Sequence, residues 1–446
     1  MSATKITIIG AGSSQFSAGI VRDLCVTKGL FGSHVTFMDI DEHRLEMVLG
    51  LAKRLANELR ADLSFSSTTN MESSIKDADF IINTAQAGGH SWSEAQRTLS
   101  EKHGYYRGAH LDQLNQMAFF MEVAKLIKDI APNAWLIQSA NPVFEGCTIM
   151  SRVYGIKIIG LCHGHYGYHE IADVLGLDRR DVTANMIGFN HWIWMTEFRY
   201  KGQDAYPLIN EWIETKAENY WLNHQPRFSE NQMSRAAVDQ YQLYGLFPIG
   251  DTPRFGGWWH NDSLISKKKW FGEKLGGFDS EIGWQLYLDA MGQNVQRIHD
   301  VVLNPSALVT DEFPAVQSNE QIVPIIESLI NDIQRVFQVN IPNRGHIIKG
   351  FPEDLVIECR GVVNGGGVCG ISEPSLPERL IAGVMIPRWS EAESRIYAVK
   401  SGEYNAFRSL LLQDRRTHSP EQADALLQEW IADPRNIHIR SRMSLK

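Results

Sequence analysis

What this chain lacks removes several classes of function at the outset. Five cysteines (Cys25, Cys147, Cys162, Cys359, Cys369) in 446 residues are too few, and odd in number, for a disulfide framework. No apolar stretch approaches the roughly 20 residues needed to span a bilayer. The opening run Ile6-Thr7-Ile8-Ile9 is too short for a secretory signal and reads as a first strand. A net charge of −9 offers no positive surplus for nucleic acid or an anionic membrane. The expectation is a cytoplasmic protein with no nucleic-acid or membrane partner. Repeats, low-complexity tracts and long linkers are also missing, so any domains should pack closely.

What is present is an ordinary globular composition, 43% hydrophobic and 21% charged, in a chain long enough for two domains. Short apolar runs at 5–10, 34–41, 80–84, 134–138 and 157–161 read as strands. Helical stretches, Gly19 to Lys28 and Glu42 to Leu59 among them, separate these runs. Strand–helix alternation predicts a doubly wound parallel sheet. Beyond about residue 165 tryptophans concentrate and helical stretches lengthen. The run at 356–371 reads as two strands around an Asn-Gly turn, and the last 70 or so residues as amphipathic helix. The division expected is a dinucleotide-binding domain over 1–165 and an α+β substrate, metal and oligomerisation domain over 166–446. The apolar, Trp-rich second half favours a homodimer or homotetramer.

Gly10-Ala11-Gly12-Ser13-Ser14-Gln15 follows a strand and opens a helix, as a pyrophosphate-binding turn does. Gln15 stands where the third fingerprint glycine would be. Asp39, at the end of the second strand, can bind both ribose hydroxyls and repel a 2′-phosphate, which favours NAD over NADP. The bland alternative is a plain strand–turn–helix with acidic loop residues. Asn141-Pro142 ends a later strand and can leave the Asn141 amide beside nicotinamide and substrate, or be a simple loop turn.

Gly160-Leu161-Cys162-His163-Gly164-His165 lies at the carboxyl end of a strand, where open α/β sheets hold ligands, and Gly188-Phe189-Asn190-His191 follows. A thiolate with a neutral imidazole is a partial shell for a divalent transition metal that leaves positions open for substrate oxygens. Taken singly, a buried Cys is more often packing, and His191 can be a hydrogen-bonded core histidine. The loop former-rich segment 245–260 carries Asp251, a candidate base; Arg254, a candidate partner for a substrate carboxylate; and His260, a second candidate for either role.

With these motifs the chain resembles the NAD- and metal-dependent glycoside hydrolases of family 4 over essentially its whole length. The Cys-His-Gly form of the cysteine motif is most similar to that of the uronic-acid-cleaving branch, bacterial α-galacturonidases in particular. The resemblance implies a lactate/malate dehydrogenase-like architecture and NAD with Mn²⁺ as cofactors, although Co²⁺, Ni²⁺ and Fe²⁺ suit the same ligands. It implies transient oxidation at C3 of a uronic-acid glycoside, loss of the C2 proton, elimination of the glycosidic oxygen, water addition at C1 and return of the hydride. By position, Cys162 and His191 would bind the metal, Asn141 the sugar, His163 would give a proton, and Asp251 would be the base. Phospho-sugar members usually carry an arginine about where Ser93 stands, which argues against a 6-phosphate and leaves a 6-carboxylate. An α-glucuronidase or another family 4 α-glycosidase is the nearest alternative. A net 2-hydroxy-acid dehydrogenase and a non-catalytic NAD sensor are the readings from other classes.

Overall fold

The apolar runs of the first half become parallel strands β1 (Lys5–Ile9), β2 (His34–Met38), β4 (Phe80–Asn83), β5 (Trp135–Gln138) and β6 (Lys157–Gly160), joined by β3 (Ser64–Thr68). These are seen in a computed structural model that describes residues 4–13, 16–106, 108–227 and 229–443. Their order, β3-β2-β1-β4-β5-β6, reverses direction beside β1 and opens a crevice at the strands' carboxyl ends. Strand β4 and nearly all of β1 are buried on both faces, because helices cover both sides of the sheet, so they read as unbroken apolar runs. Strand β3, Ser-Phe-Ser-Ser-Thr, escaped the sequence reading because it is a half-exposed edge with little apolar content. Strand β2 stops at Met38, short of the expected Asp41, which leaves Asp39 in the crevice loop. The helix expected over Glu42–Leu59 has those bounds, with Asp41 accepting from Arg44 N as its cap.

The second half continues the same sheet. Strands β7 (Val182–Phe189), β8 (Trp192–Tyr200), β9 (Gln203–Asp204), β10 (Phe247–Ile249), β11 (Arg335–Pro342), β12 (Val356–Asn364) and β13 (Gly367–Gly370) follow. Beyond β6 the order runs β11-β12-β7-β8-β10, all antiparallel, with β9 and β13 on the margins. The expected hairpin at 356–371 is β12–β13. Asn340 pairs with Gly160, and Glu358 with Gly188. Those two junctions bring the end of β6, which leads to Cys162, toward the end of β7, which leads to His191.

The chain then returns to its first half. Helices Ile386–Ser401, Tyr404–Gln413 and Pro420–Ala432 bury Ile396, Phe407, Leu410, Leu426 and Trp430 in one core with Phe120, Val123 and Ile127 of helix Leu114–Ile130. Residues beyond 385 therefore complete the core of the nucleotide-binding half, which a division at 165 does not capture. Among the described residues no helix is long and apolar enough to cross a membrane.

Candidate active site

One cavity of about 1560 Å³ runs along the crevice, lined at one end by Gly10, Gly12, Ser13 and Asp39, and at the other by Asn141, His163, His191, Asp251 and Arg254. A drug-sized ligand fills roughly 300–1,000 Å³, so this space suits a dinucleotide with a second molecule beside it.

At the first end β1 turns into helix Ser17–Val26. Gly10 adopts φ +81°, and a Cβ there would fall 2.5 Å from the Ala85 backbone, so β1 and the β4 loop approach only with glycine. Gly10 N and Ala11 N both donate to Met38 O, at 2.9 and 3.0 Å. The Asp39 carboxylate accepts from Gly12 N at 2.8 Å and Asp41 N at 3.1 Å, which ties the glycine turn to the end of β2. Among the described residues no side chain caps the helix and no acidic residue stands in its first turn, an arrangement open to a phosphate. Ser14 and Gln15 lie outside the described residues.

The other end is built from three turns. Cys162 follows β6 and precedes a 3-10 turn, His163–Gly167. His191 sits between β7 and β8 at φ +63°, a left-handed conformation a non-glycine residue adopts only when its surroundings enforce it. Asp251 follows β10 through Gly250, at φ +66°. A Cβ on Gly250 would stand 2.8 Å from Gly164 Cα, and one on Gly164 would stand 3.6 Å from Cys162 Sγ. Two bare glycine backbones thus press the Asp251 turn onto the Cys162 turn. The Gln232 amide clamps the same place, donating to Gly250 O at 2.7 Å and accepting from Gly250 N at 3.0 Å.

His191 Nε2 is buried without a hydrogen bond, although Asp251 Oδ2 lies 3.2 Å away. Its ring stacks on Phe255, centroids 5.1 Å apart. Burial pushes His191 below its usual pKa, so it is neutral with an available lone pair, the form that ligates metals. Burial, with Glu358 and Asp251 nearby, pushes the Cys162 thiol up, so without a cation it stays protonated. Burial would raise Asp251 too, but Arg254, His191 and His163 outweigh it and hold the carboxyl down to about 2.

Among the described residues no three His, Cys, Asp or Glu side chains form a ready metal shell. An orphaned imidazole nitrogen and a carboxylate do stand 3.2 Å apart there, and the turn that carries the Cys162 sulfur packs on the Asp251 turn. That donor set fits a divalent transition metal with positions left for substrate oxygens.

Asn141 is exposed on the cavity wall, its bond to Pro142 cis. The His163 side chain is 63% exposed, its Nδ1 3.8 Å from Glu320 Oε1. Arg254 departs from its expected role. Its Nη1 donates to Asp251 at 2.6 Å, and Nε and Nη2 donate to Asp279 at 3.0 and 2.8 Å, so it already serves two carboxylates. His260 is not among the cavity-lining residues. It is fully buried, 2.8 Å from Asp239, against Trp259 and Trp270, because its loop folds inward as core.

Several contributors had no signal in the sequence. Glu358 of β12 accepts from Asn190 Nδ2 at 3.0 Å and so steadies the residue before His191. Burial raises its carboxyl to about 7. Gln232 looked like any polar loop residue. A long-range pairing reveals them, and a local motif does not.

Burial also raises the carboxyls of Asp112 and Glu170 to about 7. The folded chain then holds protons that the unfolded chain releases above about pH 4, so this contribution to stability is present at low pH and lost as pH rises toward 7. Each group can cost at most roughly 1.4 kcal/mol per pH unit across that window. A ligand-free Tm is expected to decline between pH 5 and 7.5, and Asp112→Asn should flatten the decline. Calorimetry that shows the same slope in the variant would remove Asp112 from this account.

The chain matches the model of family 4 glycosyl hydrolases over residues 5–177, and that family's C-terminal domain over 186–417. It belongs to the family 4 glycosyl hydrolases. An alpha-galacturonidase of Lachnoclostridium phytofermentans is 22% identical over 85% of this chain and 84% of its own. A 6-phospho-alpha-glucosidase from gut microorganisms, solved with NAD and glucose 6-phosphate, superposes with a TM-score of 0.80 at 19% identity, covering 99% of this chain and 100% of that one. A 6-phospho-alpha-glucosidase structure of the same source with NAD and Mn²⁺ gives 0.78 at 17% identity, covering 96% and 97%.

Proposed function

We propose that this chain is an α-glycosidase that cleaves uronic-acid glycosides in the manner of an α-galacturonidase, with NAD⁺ and Mn²⁺ as cofactors. The observation that carries the reading is the contact of His191 with Asp251 at the far end of a cavity that begins at the Gly10–Asp39 turn, with the Cys162 turn packed on the Asp251 turn. Support for the uronide comes from the Lachnoclostridium phytofermentans alpha-galacturonidase, and for the cofactors from the NAD and Mn²⁺ complexes among the structural relatives.

When bound, NAD⁺ supplies a reversible hydride acceptor and Mn²⁺ supplies Lewis acidity. Cys162 and His191 would hold the metal, and the Gly10–Asp39 turn would hold the dinucleotide, with Asp39 facing its ribose. Asn141 orients the sugar. Asp251, ionised throughout the neutral range, accepts the C2 proton. His163, solvent-exposed at the cavity mouth, hands a proton to the departing oxygen and recovers it from water. Assembly into a homodimer or homotetramer remains part of the proposal.

The test is hydrolysis of aryl α-galacturonide, α-glucuronide, α-galactoside and 6-phospho-α-glucoside under reducing conditions, with and without NAD⁺ and Mn²⁺. The reading expects uronide cleavage that needs both cofactors and builds up no NADH. Steady NADH production would instead indicate a dehydrogenase.

A smaller change probes the geometry alone. Gly250→Ala would drive a methyl into Gly164 and displace Asp251 from Cys162. A misplacement of about 1 Å costs on the order of 100-fold in rate, so kcat should fall by about that much while circular dichroism stays native. An unaltered kcat would mean that the glycine contact does not position the base.

A further inference from the structure

Glu358 is a fully buried carboxyl that the proposed reaction does not use. Its partners are amides. Asn190 Nδ2 donates to Oε2 at 3.0 Å, Gln338 Nε2 donates to Oε1 at 3.5 Å, and the Asn340 side chain lies alongside. A carboxyl placed in a sheet interior with amides in place of a cation is costly, and packing alone does not require it.

Its position in the sheet is specific. Glu358 pairs with Gly188 of β7 on one side and with Asn340 of β11 on the other, and Asn340 pairs with Gly160 of β6. Glu358 therefore stands between the strand that leads to His191 and the strand that leads to Cys162.

Asn190 carries the connection. It is 3% exposed and immediately precedes His191, whose backbone is held at φ +63°. Its amide also faces the Cys162 sulfur and favours the thiolate there. A primary amide has two N–H donors in one plane, so a bond from Nδ2 to Glu358 fixes the direction of the second. Burial raises the Glu358 carboxyl to about 7, so it can carry a proton. The protonated group still accepts from Asn190, and it offers a donor to Asn340 Oδ1, which is buried without a hydrogen-bond partner.

We infer that Glu358 is a positioning residue that acts through Asn190 to hold the Cys162 sulfur and the His191 ring in place for a divalent cation. Its hydrogen bonds go to neither ligand, so its effect is on how tightly the cation is held. This rests on the assignment of Cys162 and His191 in the functional reading above.

The experiment titrates the protein with Co²⁺ and follows the thiolate charge-transfer band in the wild type, Glu358→Gln and Glu358→Leu. NAD⁺ affinity is read in parallel by fluorescence. Glutamine keeps an acceptor for Asn190 and a donor for Asn340, whereas leucine fills much of the space and leaves the Asn190 amide unheld. The Co²⁺ Kd should rise about 10- to 100-fold in the leucine variant, the usual effect of losing a group that orients a metal ligand. It should stay near the wild-type value in the glutamine variant. NAD⁺ affinity should be unchanged in both, because the nucleotide turn lies at the other end of the cavity.

An unaltered Co²⁺ Kd in the leucine variant overturns the inference. A glutamine variant as weak as leucine does the same, as does a loss shared equally by Co²⁺ and NAD⁺, which would leave Glu358 a packing residue. Should the leucine variant not fold, a crystal of the wild type with Co²⁺ decides. Asn190 still bonded to Glu358 beside a sulfur-bound cation upholds the inference, and Asn190 turned away from Glu358 overturns it. A wild type that shows no charge-transfer band defeats the metal assignment itself, and the inference with it.

Discussion

Cys162→Ser is expected to lower kcat by about 1,000-fold, since a catalytic metal supplies several kcal/mol of charge stabilisation and about 1.4 kcal/mol is tenfold in rate. Serine is nearly the same size and keeps the turn at the end of β6, so the Tm should change little. Its hydroxyl does not ionise to bind a divalent ion as a thiolate does. His191 Nε2 and the Asp251 carboxylate would then be the donors left at that spot. Cobalt titration reads this without turnover, because Co²⁺ bound to a thiolate gives a near-ultraviolet charge-transfer band. The wild type should show the band and the serine variant should lose it. Equal cobalt spectra would place the metal elsewhere.

Asp251→Asn carries the second large effect. Loss of a general base costs typically 10²- to 10⁴-fold, and here it also leaves Arg254 with Asp279 alone. A carboxylate held to about 2 is a weak base. It can take a carbon-bound proton only if that proton is first made acidic, which oxidation at the adjacent carbon does. The asparagine variant should retain NAD⁺ binding, measured by fluorescence titration, while hydrolysis and proton exchange at C2 are lost together. Exchange at the wild-type rate would assign the base to another residue.

Much of the nucleotide end was legible because it is local. A strand, a glycine turn, a helix and Asp39 lie within about 30 residues, and the Asp39 carboxylate accepts from Gly12 of that turn. The other end was half legible. Cys162 and His191 stand in short motifs, but the placement of their turns depends on β11 and β12 between β6 and β7, a pairing no periodicity encodes. Glu358 and Gln232 were invisible for the same reason. Arg254 and His260 show the converse: residue types suited to a site, in a loop rich in turn formers, that the fold commits to neighbouring carboxylates. Sequence supplies the groups, and tertiary pairing decides which donors are left for a ligand. The C-terminal helices were read as amphipathic correctly, but an apolar stripe does not say which half of the molecule it covers.

The most direct measurement is hydrolysis of an aryl α-galacturonide in D₂O with NAD⁺ and Mn²⁺, followed by NMR of the released sugar. The account predicts one deuterium at C2 of the product and no cleavage when NAD⁺ is withheld. Product with hydrogen retained at C2, formed equally well without the dinucleotide, would contradict it.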